Sequence, residues 1–171
     1  MKRVLPLLCL AACGPDPFVA VEEAWLGEWR VTAAWEGEGC DEPTTAAVDP
    51  YTDMTLTFIA PDGLFLQALG CRGRSCDELP WMTMPLDEAT ETELSGVYLS
   101  ALFLVNGDND GQCDASWARL QGDIGADGLM RMVLRRGVEE APVSNYEACD
   151  AFAESLIDGQ CSDTLVFDME R

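Results

Sequence analysis

The chain has no histidine among its 171 residues. That removes the usual general base near neutral pH and the commonest transition-metal ligand. Ser-His-Asp and Cys-His nucleophile systems are therefore excluded. Cations are scarce too: ten Lys and Arg stand against 31 Asp and Glu, a net charge of −21. Such a chain repels phosphate backbones, so nucleic acid is not an expected partner, whereas cations and basic surfaces are. No apolar run reaches the roughly 18 residues that a membrane-spanning helix needs, and no internal repeat stands out. What the chain does have is 48% hydrophobic residues. That is enough for a core, in a length that suits one domain.

The N-terminus is built in three parts. Lys2 and Arg3 form a positive start, Val4 to Leu10 an apolar segment, and the small residues Ala11 and Ala12 precede Cys13. This is the layout of an export signal. The segment Leu10-Ala11-Ala12-Cys13 resembles the lipobox of bacterial lipoproteins, where a lipid is attached to the Cys thiol and the chain is cut just before it. Cys9 does not fit, because Leu8 is too large for the position before the cut. The resemblance covers the first 14 residues. It implies a signal peptide at 1–12, a lipidated tether at 13–24 held extended by Pro15 and Pro17, and one β-rich domain at 25–171. It also implies a membrane as partner, reached through acyl chains; one myristoyl chain binds marginally, whereas several anchor stably. Gly14 rather than Asp follows Cys13, which under the sorting rule of enteric lipoproteins points to the outer membrane of the cell envelope. Loss of Lys2 and Arg3 takes the net charge from −21 to −23 and leaves eight Arg and no Lys.

Six cysteines follow Cys13: Cys40, Cys71, Cys76, Cys113, Cys149 and Cys161. An even number in an oxidising compartment reads as disulfides. Local spacing predicts Cys71–Cys76, closing "CRGRSC", and Cys149–Cys161, bracketing a helix; Cys40–Cys113 is left by elimination. Paired C-x-x-C knuckles are absent, which argues against zinc.

Alternation dominates the rest. In "WRVTAAWE", Trp29, Val31, Ala33 and Trp35 fall on one side; in "MTLTF", Met54, Leu56 and Phe58 do. A period of two is a half-buried strand. "APDG" joins "MTLTF" to "LFLQALG", and "GADG" joins "SWARLQGDI" to "LMRMVLRR", which predicts two hairpins. "GVYLSALFLV", 96–105, is apolar throughout and reads as a strand or a short buried helix. "TLVFDME" is a last strand. Ser144-x-x-Glu147 has the spacing of a capping box, followed by a helical apolar pattern that ends at Asp158-Gly159. Residues 37–52 and 70–94 read as long irregular stretches. The expected fold is mainly β: an antiparallel barrel or sandwich of seven to eight strands, disulfide-bonded, with one helix inserted before the last strand.

Leu26-Gly27-Glu28-Trp29 resembles the Gly-x-Trp signature of lipocalin-like proteins, in which a helical turn leads into strand one and the Trp plugs the closed end of a barrel. The resemblance makes Gly27 and Trp29 the barrel floor. In lipocalins an Arg near the last strand often packs over that Trp, and Arg171 is the candidate. If the barrel is hollow, its ligand-lining set includes Trp35, Leu56, Phe58, Leu66, Met132 and Phe167; the alternative is a filled core.

"NGDNDGQCD" resembles the calcium loops of extracellular modules, with Asn106, Asp108, Asp110 and Asp114 as ligands. Alternate residues of a tight loop aim oxygens at one point, and Ca²⁺ takes six to eight of them. The bidentate Glu of an EF-hand is replaced by Trp117. The competing reading is a solvated acidic turn. Arg72 and Arg74 form a strapped basic tip. No spacing marks a poised carboxylate pair, although Asp87 and Glu88 are adjacent. The functional expectation is a lipid-anchored cell-envelope lipoprotein with a non-enzymatic interaction or structural role, requiring no cofactor and permitting Ca²⁺. A lipocalin-like barrel for a small apolar ligand and a carboxylate-dependent hydrolase are the alternatives.

Overall fold

A computed structural model describes residues 19–44, 51, 53–72, 75–105, 111–157, 159 and 161–171. A 3-10 turn, Glu23–Trp25, leads into β1 (Gly27–Glu38). There follow β2 (Met54–Ile59), β3 (Phe65–Arg72), β4 (Ser75–Cys76), β5 (Met82–Pro85), β6 (Glu88–Ala89), β7 (Glu93–Val105), β8 (Gly111–Ile124) and β9 (Met130–Val143). One helix, α1 (Tyr146–Leu156), precedes the last strand, β10 (Asp163–Glu170). The protein is mainly β and antiparallel, and both hairpins form where the turn residues place them. The run at 96–105 is strand. Three short strands, β4 to β6, lie inside the stretch 70–94 that reads as irregular, so the described residues form ten strands rather than seven or eight.

The strands form one sheet in the order β4-β3-β2-β1-β10-β9-β8-β7-β6, with β5 also on β3. The sheet curls without closing into a continuous ladder. Residues 82–89 span the gap, pairing first with β3 and then with β7. No side chain fits at Gly96, where a Cβ would lie 2.2 Å from the Pro85 carbonyl oxygen as β5 crosses β7.

The alternation of β1 breaks where the sequence gives no sign of it. Trp29 and Val31 face the core, but the register with β10 shifts between Val31 and Ala33. A bulge adds one residue and reverses the faces beyond it. Ala34 is therefore buried, while Ala33 and Trp35 turn outward. Trp35 carries the Arg131 guanidinium at 5.5 Å from its ring centre on the outside of the wall, so it leaves the predicted interior set.

Three disulfides join the described cysteines, and two pairings differ from those read from spacing. Cys71–Cys76 closes its short loop. Cys40 joins Cys161, and Cys113 joins Cys149. The reason is register. Glu38 on β1 pairs with Asp163 on β10, so antiparallel continuation brings residue 40 to residue 161, with Cα atoms 4.8 Å apart. Helix α1 lies across β8, which sets Cys149 against Cys113 at 5.2 Å.

The helix cap also differs by one position. Asn145 has an extended backbone, and its side chain accepts from the Ala148 N–H at 2.8 Å. The N-cap is therefore Asn145 and not Ser144, which leaves the predicted box out of phase.

Candidate functional site

The barrel interior is filled. Leu56, Phe58, Leu66, Met132 and Phe167 are each at most 1% exposed and belong to one packed cluster. At one end Gly27 takes φ +107°, which admits the turn from the 3-10 segment into β1. This delivers Trp25 and Trp29 beneath the core. The Trp25 indole N–H donates to the Thr90 carbonyl at 2.7 Å, and that of Trp29 donates to the Trp25 carbonyl at 3.2 Å. The Arg171 guanidinium lies over the Trp29 ring at 4.7 Å and donates to the carbonyls of Ala24 and Leu26. That end is shut.

The opposite end is different. Tyr51 and Trp81 meet Phe167 edge-on, at 5.1 and 5.5 Å between ring centres, and roof the core. Burial holds the Tyr51 phenol above its ordinary pKa, with Glu36 and Asp163 adding to the rise and Arg136 opposing it. Beside this roof opens a groove of about 290 Å³, lined by Trp81, Met82, Thr83, Met84, Tyr98, Ala118, Leu134 and Arg136.

The groove runs out onto a sheet face left exposed among the described residues. β7, β8 and β9 continue past the rest of the barrel: β10 starts opposite Arg136, but β8 and β9 pair as far as Gly111 and Val143. Tyr98, Ala118 and Arg136 form one cross-strand row. Above it come Ser100, Ser116 and Val138, then Leu102, Asp114 and Glu140, then Leu104, Gln112 and Pro142. Lower down this face is core, at Leu120 and Leu134. Beyond the barrel rim the same alternation continues, and among the described residues no layer lies above it. Tyr98, Leu102, Leu104 and Val138 are 43%, 52%, 40% and 65% exposed. Gln112 Nε2 bridges the carboxylates of Asp114 and Glu140 at 2.9 Å each. The other face of these strands is covered by α1, with Leu99, Ala101, Phe103, Phe152 and Leu156 packed around the buried Cys113–Cys149 bridge.

A second cavity, about 380 Å³, lies outside the wall beside the Cys40–Cys161 bridge, with Trp117, Arg119, Gln121 and Arg135 on its walls. Arg135 donates there to the Cys40 carbonyl and to Gln121 Oε1, so it ties the segment after β1 to the sheet. The Trp117 indole N–H is buried without an acceptor among the described residues.

Several expected site residues fall outside the described residues: the segment 1–12, Cys13 and the tether to residue 18, Arg74, and the loop residues Asn106, Asp108 and Asp110. Asp114 is a β8 residue opposite Leu102, set into the ladder and bonded to Gln112. Gly111 is also in β8, where the Phe103 ring occupies the place a Cβ would take. Arg72 is exposed at the end of β3, and the Asp87 backbone joins Ser95. Among the described residues no group of three or more His, Cys, Asp or Glu side chains could hold a metal ion. No helix there is long and apolar enough to cross a membrane. Trp81, Tyr98 and Arg136 were not singled out from the sequence. The one available signal was the unbroken apolar run at 96–105, too long and uniform for a strand with a wet face.

Fold and surface together define a disulfide-bonded antiparallel β protein whose curled, unclosed sheet wraps a packed core, with one shut end and one partly apolar open end. No family model, curated protein or solved structure matches the chain.

Proposed function

We propose that this protein is a lipid-anchored component of the bacterial cell envelope whose role is to bind rather than to catalyse, with the open end as its working surface. The observation that carries the binding role is the apolar face of Tyr98, Leu102, Leu104 and Val138, continuous with the Trp81–Met84 groove. Grouped exposed apolar side chains at one end of a monomer mark contact sites. The anchor rests on the Leu10-Ala11-Ala12-Cys13 pattern, and the three bridges suit an oxidising compartment. The floor formed by Gly27, Trp29 and Arg171 supports a lipocalin-like relationship.

The test is site-specific photo-crosslinking in native membranes, with the probe at Leu102 or Val138 and a control at Leu129, an exposed residue at the shut end. A discrete protein adduct from the open-end positions alone is the expected result; none, or equal labelling at Leu129, overturns the reading. Mass spectrometry of the purified chain tests the anchor: an acylated Cys13 at the new terminus is expected, and an unmodified chain starting at Met1 refutes it. A second reading, capture of a small apolar molecule, is favoured by the groove volume, which sits at the lower edge of ligand pockets. Its mark would be a retained compound released on denaturation.

A further inference from the structure

We propose that the free edge of β7, Val97–Val105, is a strand-addition site for an extended, basic segment of a partner protein. The inference rests on the reading of the open end as a binding surface and names the partner's class.

β7 pairs with β8 through thirteen consecutive residues without a bulge. On its other side β6 pairs only with Leu94 and Ser95. From Val97 to Val105 no backbone group pairs on that side among the described residues. In an antiparallel ladder alternate residues spend their N–H and C=O groups on one neighbour and the rest point the other way. About half of this stretch therefore offers a regular row of donors and acceptors. Natural sheets guard such edges with charge, proline or bulges. Residues 94–105 contain none of these. An added strand would extend the ladder and set alternate side chains beside Tyr98, Leu102 and Leu104 on the exposed face, which is how strand addition couples affinity to specificity.

Charge selects among occupants. The edge itself is neutral, but its surroundings are acidic. Asp114 and Glu140 lie on the open face, and Glu147, Asp150 and Glu154 are exposed on the helix behind it. With a net charge of −21, a second copy is repelled. A segment alternating apolar and cationic residues satisfies the edge, the apolar face and the carboxylates together.

The test uses the mature lipidated chain in non-ionic detergent and a fluorescent nine-residue probe of alternating valine and lysine, read by anisotropy. The expected result is saturable binding that weakens at least tenfold for the valine–glutamate counterpart, for the valine–lysine probe N-methylated along its backbone, and for Leu102→Lys. Leu102 is half exposed, so this substitution leaves the fold intact, and Leu104→Lys provides an independent repeat. Binding that survives N-methylation, or no binding, overturns the proposal. So does a dimer in sedimentation that Leu102→Lys dissolves, since the occupant is then a second copy. If the probe fails while Leu102 still crosslinks to an envelope protein, strand addition is refuted and the open-end interaction stands.

Discussion

Removing the bridges one at a time should cost stability in the order of the loops they close. Cys40–Cys161 spans 121 residues, Cys113–Cys149 spans 36 and Cys71–Cys76 spans five. If a bridge acts by restricting the unfolded chain, these spans correspond to ~5, ~4 and ~2 kcal/mol. Against a total of roughly 5–15 kcal/mol, loss of the longest bridge removes a third or more of the stability. At about 2–4 °C per kcal/mol for a chain of this size, the melting temperature should fall by roughly 10–20 °C. The assay is thermal and urea unfolding of three double Cys→Ala variants, with free thiols mapped by alkylation in each single variant. Cys113 and Cys149 are fully buried, so their variant also carries a cavity cost; its loop term of ~4 kcal/mol is a lower bound on its loss, and the loop-order comparison is read from the other two bridges. Two results would refute the reasoning. Equal losses for the five-residue and 121-residue loops would defeat the entropic account. A thiol freed at Cys149 rather than Cys40 when Cys161 is replaced would defeat the pairing.

The helix start is tested by two alanines: Asn145→Ala should lower stability by about 1 kcal/mol through loss of the cap, whereas Ser144→Ala should be neutral, both read by urea unfolding. Gly137→Ala places a Cβ 2.2 Å from Trp117 Nε1, so the buried indole must shift; a cost of about 1–3 kcal/mol and a changed near-ultraviolet circular dichroism band are expected. Tyr51 has its pKa raised in the fold, mainly by burial. Stability from its neutral form is fully present below the unfolded phenol pKa and is lost as pH rises through the folded one. An ultraviolet titration of Tyr51→Phe should lose a phenol step that lies above the ordinary tyrosine range in the unsubstituted chain.

Much of this fold was readable because most strands keep strict alternation and the turn residues sit where the chain reverses. The failures share a cause. The bulge after Val31 inserts a residue that looks like any other, so Trp35 reads as interior until β10 supplies the register. The true bridges join residues brought together by pairing of β1 with β10 and by the seat of α1 on β8, and neither contact is local. Ser144 and Asn145 are both good caps, and only the backbone direction chooses between them. The open-end face was only half legible, for the opposite reason: Tyr98, Leu102 and Leu104 are as apolar as core residues, and the run at 96–105 does not show where the core beneath it ends.

The segment 82–89 serves two neighbours, with four pairs to β3 and two to β7. It is thus a seam, where the wall can part without tearing a long ladder. Met82 and Met84 on that seam also line the groove. A molecule bound in that groove would touch a short-paired junction of the wall, so binding there should raise resistance to unfolding.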